Sequence, residues 1–149
     1  MPDLPPDHNT PFLLLNAFNS MTDEVNRRLS TKGFDGVRNS HGFAMQALDA
    51  GCTSVQLGHR LGISKQAAAK TIQGLESMGF VRRSPNPADA REMLVSPTVR
   101  GRTMLRLSGE AFADIVAGWR AELGDRTIDA MLKTLTHASV PRNAGGERG

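Results

Sequence analysis

The chain has 149 residues, 39% of them hydrophobic and 22% charged, with a formal net charge of +3. That length suits one ordinary domain with its own core, and the composition is that of a globular protein rather than a disordered or fibrous one. No stretch approaches the roughly 18 uninterrupted apolar residues of a membrane helix, and Met1 to Thr10 has no basic, apolar leader pattern, so a cytoplasmic protein without a membrane partner is expected. Cys52 is the only cysteine and has no internal disulfide partner.

The first nine residues are polar and proline-rich and should be loose, as should Ser139 to Gly149, which holds three glycines and no apolar stripe. Thr10 as N-cap, followed by Pro11 at the first helical position, opens a helix in which Leu14, Phe18, Met21, Val25 and Leu29 recur at spacings of three and four, ending near Gly33. A second helix is expected from about Ser40 to Ala50, with Phe43, Ala47 and Leu48 inward and Gly51 as its stop. Thr53 and Gln56 form a capping-box pattern for a short third helix carrying Leu57 and Leu61, and Gly62 breaks it. Ser64 caps a fourth, where Ala68, Ile72 and Leu75 fall on one face until Gly79.

Two short helices joined by a tight glycine turn make a helix-turn-helix. Phe80 to Arg83 and Met93 to Val95 then read as two short strands around a turn-rich span with Pro85 and Pro87, a hairpin with a basic tip. Thr98 caps a long helix keeping Leu105, Phe112, Ile115 and Trp119 on one face. Gly124 and Asp125 break and restart it as a last helix bearing Ile128, Met131 and Leu135. The fold class is therefore mostly α with a small β-hairpin, a single domain over residues 1–149.

Charge is unevenly distributed. Between Cys52 and Arg106 nine Lys or Arg residues face three acids, which leaves the remainder of the chain net acidic. A solvated basic face is one reading; the other is a surface that meets phosphates. On the fourth helix, 100° per residue places Gln66, Lys70, Gln73 and Ser77 opposite the buried stripe, a row of amide, ammonium and hydroxyl groups able to hydrogen-bond purine edges in a major groove.

The run Leu57, Leu61-Gly62-Ile63-Ser64, then Leu75-Glu76-Ser77-Met78-Gly79-Phe80-Val81-Arg82-Arg83, resembles the MarR (multiple antibiotic resistance regulator) family. So do Asp89-Ala90-Arg91, which matches the family's Asp-x-Arg at the hairpin tip, and Leu94 to Thr98 with Gly101. The resemblance covers about Asn39 to Arg102, and beyond that rests on helix order. Two positions depart from the family's pattern: Gly58, where alanine is usual, and Pro97 before the capping threonine.

What the resemblance implies is a winged helix-turn-helix over residues 39–97, with 10–38 and 98–138 as dimerisation helices of an intertwined homodimer. Such a dimer binds a pseudo-palindromic operator in double-stranded DNA, most often as a repressor. By the same token the DNA-contacting set is Ser64, Lys65, Gln66, Ala67, Lys70 and Gln73 on the recognition helix, Arg82 and Arg83 on the first wing strand, and Asp89 with Arg91 at the tip. Arg91 would reach the minor groove or its phosphates, with Asp89 steadying it. A small aromatic or phenolic effector would occupy a cleft drawing on His41, Phe43, Met45 and Met104.

Three readings stand beside this one: a winged-helix protein-interaction module without DNA binding, an architectural protein without base specificity, and a redox-sensing regulator using Cys52, as in relatives that sense organic hydroperoxides. The first should lack the basic groups present here, and the second has no need of Gln66 and Gln73. Cys52 has no adjacent Lys or Arg to favour a thiolate. No catalytic constellation stands in a recognisable context, and His8, His41, His59 and His137 lack a second ligand at helical metal spacing. No enzyme activity, cofactor or metal is expected.

Overall fold

A computed structural model of the chain describes residues 3–140. Six helices and three short strands follow in order: α1 (Thr10–Ser30), α2 (Asn39–Leu48), β1 (Cys52–Thr53), α3 (Ser54–Leu61), α4 (Lys65–Ser77), β2 (Val81–Pro85), β3 (Met93–Pro97), α5 (Val99–Leu123) and α6 (Asp125–Ser139). A 3-10 turn, Asp7–Asn9, precedes α1, and the segment 141–149, where most of the expected loose C-terminus falls, lies outside the described residues. The chain divides into two compact units between Phe112 and Ala113, inside α5.

The first unit contains the mostly helical body and its three-stranded antiparallel sheet. Local signals place its helices. Thr53 accepts from the Gln56 amide while the Gln56 side chain accepts from the Thr53 amide, so α3 starts where the sequence pattern put it. Ser64 Oγ accepts from the Ala67 amide at 3.1 Å and starts α4. Between them Gly62 adopts φ 66°, a left-handed turn that only glycine takes without strain. The two helices meet closely: a Cβ at Gly58 would lie 3.1 Å from the Ile63 carbonyl oxygen and 3.6 Å from Ala68 Cβ. The departure at Gly58 is thus a packing requirement as well as a propensity cost.

Four features differ from the sequence expectation. Asn9, not Thr10, is the N-cap of α1, and the Thr10 hydroxyl donates to Asp7 O instead. Phe43, expected inward, is exposed, while Ala44 and Met45 are buried beside Leu48. Helix α2 stops at Leu48, three residues before Gly51, and Arg60 Nη1 donates to the carbonyls of Ala47 and Leu48 at 2.8 and 3.3 Å. The chain then forms β1, a two-residue strand unforeseen in the sequence, which pairs with β3 at Cys52–Val95 and Thr53–Leu94. Strand β3 lies between β1 and β2, and the β2–β3 hairpin runs in register from Val81–Pro97 to Pro85–Met93. The hairpin tip is therefore only 86–92.

The core of this unit is made by Leu29, Met45, Leu57, Ile72, Leu75 and Phe80, each fully buried. Burying such a side chain is worth about 1.5–3 kcal/mol. The buried hydroxyl of Thr22 is satisfied, donating to the Phe18 carbonyl at 2.9 Å and accepting from Asn39 Nδ2 at 3.1 Å. Thr98 joins the wing to the body: its amide donates to Phe80 O, its hydroxyl donates to Gly79 O and accepts from the Gly101 amide.

The second unit holds the C-terminal part of α5 and helix α6. Gly124 breaks the helix at φ 89°, and Arg120 Nη1 spans the break to Asp125 and Asp129 at 3.1 and 2.9 Å. Ile128 is its buried apolar residue among the described residues.

The close approach of α5 to the body gives a first test. A Cβ at Gly101 would lie 2.2 Å from Phe80 O and 2.7 Å from Met45 Cε. Gly101→Ala is expected to destabilise by about 3 kcal/mol, the upper end for overpacking. Gly109→Ala, in the same helix with nothing within 4 Å, should be neutral or stabilising by up to about 1 kcal/mol. Denaturant midpoints of the two variants check this; equal shifts would contradict the close packing.

Candidate nucleic-acid interface

Helix α4 turns Ala68, Ile72 and Leu75 into the core and leaves Lys65, Gln66, Ala67, Ala69, Lys70, Gln73 and Ser77 exposed. The arrangement follows from the 3.6-residue period. Ser64 is used as the cap, and the Ser77 hydroxyl donates to the Gln73 carbonyl at 2.9 Å, which leaves the side-chain amides and ammonium groups as the outward polar stripe. Thirteen residues make a rod about 20 Å long and, with side chains, about 10–12 Å across, which matches a major groove about 12 Å wide.

The wing stands beside this helix. Arg82 and Arg83 are exposed on β2, and Arg83 Nε donates to Glu76 of α4 at 2.7 Å, tying the strand to the helix that precedes it. At the tip the backbone folds back on itself, with Asn86 N donating to Glu92 O, Asp89 N to Asn86 O and Glu92 N to Asp89 O. Asp89 Oδ1 accepts from the Arg91 amide at 3.0 Å and from Arg91 Nε at 3.2 Å. These bonds, the backbone one foremost, hold the Asp89 carboxyl below its ordinary value. The Arg91 side chain is nonetheless 90% exposed, a cation aimed outward by a fixed acid.

A cleft between α3, α4 and the wing collects Lys65, Arg83 and Arg91, with Ser54, Ala69 and Glu92 also on its walls. The structure thus brings Lys65, Arg83 and Arg91 to one cleft, while Lys70 and Arg82 are exposed but do not line it. Ser54 and Glu92 were not singled out in the sequence, because their place depends on how the hairpin folds back beside α3. Glu76 was also missed; its signal was an acid seven residues before Arg83 across a glycine turn.

A second, apolar cavity of about 130 Å³ lies among α1, α2 and the start of α5. Phe18 and Phe43 stack on its wall with centroids 5.8 Å apart, Phe112 and Met104 line it, and Asn26, Arg38 and Asn39 supply polar groups. Of the residues named for an effector, Phe43 and Met104 are on this wall, Met45 is fully buried in the core, and His41 sits in the first turn of α2. His41 Nδ1 accepts from the Arg38 amide at 3.0 Å. Cys52 is 1% exposed, and burial pushes its thiol up, against the opposing influence of Arg60. No cluster of three or more potential metal ligands occurs, and no helix is long and apolar enough to cross a membrane, among the described residues.

The sequence model of the MarR family matches residues 43–92, which hold most of the helix-turn-helix and the wing tip. No curated protein matches the chain in sequence. Among solved structures, FabT of Streptococcus pneumoniae in complex with DNA is similar at TM-score 0.74 and 19% identity, over 88% of this chain and 93% of that one. The reduced form of MarR from E. coli is similar at 0.69 and 22%, over 93% and 99%. A MarR-family transcriptional regulator from Rhodococcus is similar at 0.66 and 19%, over 94% and 99%. The resemblance to the MarR family therefore holds at two levels, a sequence match across the helix-turn-helix and wing, and a winged-helix fold shared over most of the chain.

The His41 bond generates a pH prediction. Burial, and then the Arg38 charge, lower its pKa from 6.5, and protonation of Nδ1 would abolish the bond to the Arg38 amide. A folded pKa below the unfolded one means that this contribution to stability is complete above pH 6.5 and is lost as pH falls from there through the lowered value. Denaturant midpoints at pH 7.5 and 5.5 should show a smaller drop for His41→Gln, which keeps an acceptor that does not titrate. An identical drop in both proteins would exclude His41 as the source.

Proposed function

We propose that this chain is a DNA-binding transcription regulator, acting as a homodimer on a pseudo-palindromic operator, and that it represses. The observation that carries the reading is the shared surface of an outward amide and ammonium stripe on α4 and three cations gathered between that helix and the wing. Amides and lysine at these spacings suit base edges, and the wing cations suit phosphates or a narrow minor groove. The FabT complex with DNA, a protein of the same fold, supports this use of the surface.

Dimerisation is supported by apolar surface that a monomer would leave wet. Phe12, Leu13, Leu14 and Leu15 of α1 are between 48% and 64% exposed, and Leu123 and Leu132 of the second unit are exposed as well. Large apolar side chains left exposed in numbers, as at Phe12 to Leu15, are the kind of surface an interface covers. A two-fold dimer presents two α4 helices to successive major grooves, about 10 bp apart.

The effector reading rests on the apolar cavity. Its volume is on the order of one that holds a single benzene-sized ring, and its three phenylalanines with a few polar groups suit a small aromatic or phenolic compound. Such a ligand would lower affinity for the operator. The buried, protonated Cys52 gives no support to redox sensing.

Selection from random duplexes should return an inverted repeat with half-site centres about 10 bp apart, and light scattering at micromolar concentration should show a dimer. Gln66→Ala or Lys70→Ala should remove about 1–3 kcal/mol of discrimination at one base pair per half-site and leave the fold intact. A selected site without symmetry, or unchanged specificity in both variants, would count against the reading.

The wing gives the sharper test. Arg91→Ala should weaken operator and non-operator binding together and flatten the dependence of log K on log salt by about 1 per arm. Asp89→Ala should also weaken binding, although it removes a negative charge, because the aspartate holds the Arg91 backbone and guanidinium. Tighter binding by Asp89→Ala would make the acid a repulsive bystander.

A further inference from the structure

Arg100, in the first turn of α5, belongs by sequence to the basic segment, but its guanidinium is engaged within the fold. Its central carbon lies 4.4 Å from the centroid of Phe34 and 5.7 Å from that of Phe80. Nη2 donates to Gly33 O at 3.0 Å and Nε to Met78 O at 3.2 Å. The two rings meet each other, tilted at 31° with centroids 6.2 Å apart. One side chain thus joins the α1–α2 loop, the C-cap of α4 and the first residue of the wing segment.

We propose that Arg100 is a positioning residue for base reading, holding the C-terminal end of α4 against the α1–α2 loop and so fixing the tilt at which Gln73 and its neighbours meet DNA. The inference rests on the reading of α4 as the helix that enters the groove. Met78 is the C-cap of α4, so its carbonyl has no helical partner and lies at the negative end of the helix dipole. A planar cation that also donates to a second segment satisfies that carbonyl and ties it down.

Buried Ile72 and Leu75 and the Arg83–Glu76 pair also hold the far end of α4, and Arg100 adds a tie at its C-cap. Near its start, α4 packs against α3, with buried Ala68 lying 3.6 Å from where a Cβ on Gly58 would sit. Gln73 is five residues beyond Ala68, about 7.5 Å along the axis. A tilt of about 10° about that contact would displace Gln73 by about 1.3 Å, enough to take a 2.9 Å hydrogen bond out of range. The side chains of Lys65, Gln66 and Lys70, nearer the pivot, move less. Loss of the tie should therefore blur readout unevenly along the site.

The test compares the full-length wild type, Arg100→Met and Arg100→Lys. Binding to the selected operator and to a scrambled duplex is followed by fluorescence anisotropy across a potassium chloride series. Amide hydrogen exchange is followed on the DNA-free proteins. Arg100→Met should lower the operator-to-scrambled ratio about tenfold with the salt slope unchanged. It should also speed exchange at Phe34 and Phe80 while sparing Ala67 to Thr71. Arg100→Lys, keeping the charge without the planar fork, should fall between.

Equal weakening on both duplexes with a slope lower by about 1 per arm would make Arg100 a phosphate contact and overturn the proposal. Equal weakening with an unchanged slope would reduce it to a stability residue and do the same. Unchanged exchange at Phe34 and Phe80 would overturn the tie itself, whatever the DNA result. A wild type that prefers no duplex sequence would overturn the base-reading role together with the proposed function, and the exchange data would still report separately on the tie.

Discussion

The carbonyl of Phe80 is the point on which the arrangement turns. It accepts from the Thr98 amide at 2.9 Å, and it lies where a side chain on Gly101 would have to be. Helix α5 can begin there only because Gly101 has no Cβ, and the Thr98 hydroxyl stitches the same corner by bonding Gly79 O and the Gly101 amide. Phe80 follows α4 after Met78 and Gly79 and directly precedes β2. One congested corner therefore sets the exit of α4, the root of the wing and the start of α5. Interiors packed at this density transmit displacement rather than absorb it, so an error at this corner would appear in both α4 and the wing.

Away from that corner, the interface is built from weak terms made useful by geometry. The Arg91–Asp89 pair is exposed, and an exposed ion pair screened by solvent adds little to stability. Its value lies in restricting a long side chain before any partner arrives, which lowers the entropy lost when the guanidinium is ordered. Arg83 and Glu76 make the same kind of bargain at the wing's root, where the acid is on α4 and the cation on β2. Asp89 and Glu76 within this basic surface are thus not contradictions of its charge; each of the two orients a cation.

Sequence and structure agree most closely where the determinants are local. The caps at Thr53, Ser64 and Thr98 and the outward stripe of α4 depend on residues three or four apart, and all were legible. What depended on distant partners was not. Strand β1 has two residues, too few to show a period, and exists because β3 offers a free edge. Gly58 read as a propensity cost, whereas its contact is with Ala68 across the turn. Arg100 counted as one more surface cation, since nothing in the sequence says that Phe34, 66 positions away, lies beneath it. The cavity is a similar case: spacing marks Phe43, Met45 and Met104 alike as apolar, but only their packing separates the wall from the core.

The charge asymmetry acquires a purpose on this surface. Within the first unit the cations of the helix-turn-helix and wing are exposed, while α1 carries Asp23 and Glu24 and is preceded by Asp3 and Asp7. Beyond about 8 Å in physiological salt a single charge is largely screened, so the net +3 of the whole chain has little directing power. Lys65, Arg83 and Arg91 lie around one cleft, where Glu92 and the paired acids Glu76 and Asp89 offset part of their charge, so a phosphate approaching there would meet oriented cations more than a large net field. A polyanion meeting the protein elsewhere finds mixed or negative charge and gains little. Local clustering, more than total charge, is what would turn a weakly basic protein toward DNA in one orientation, before any base is read.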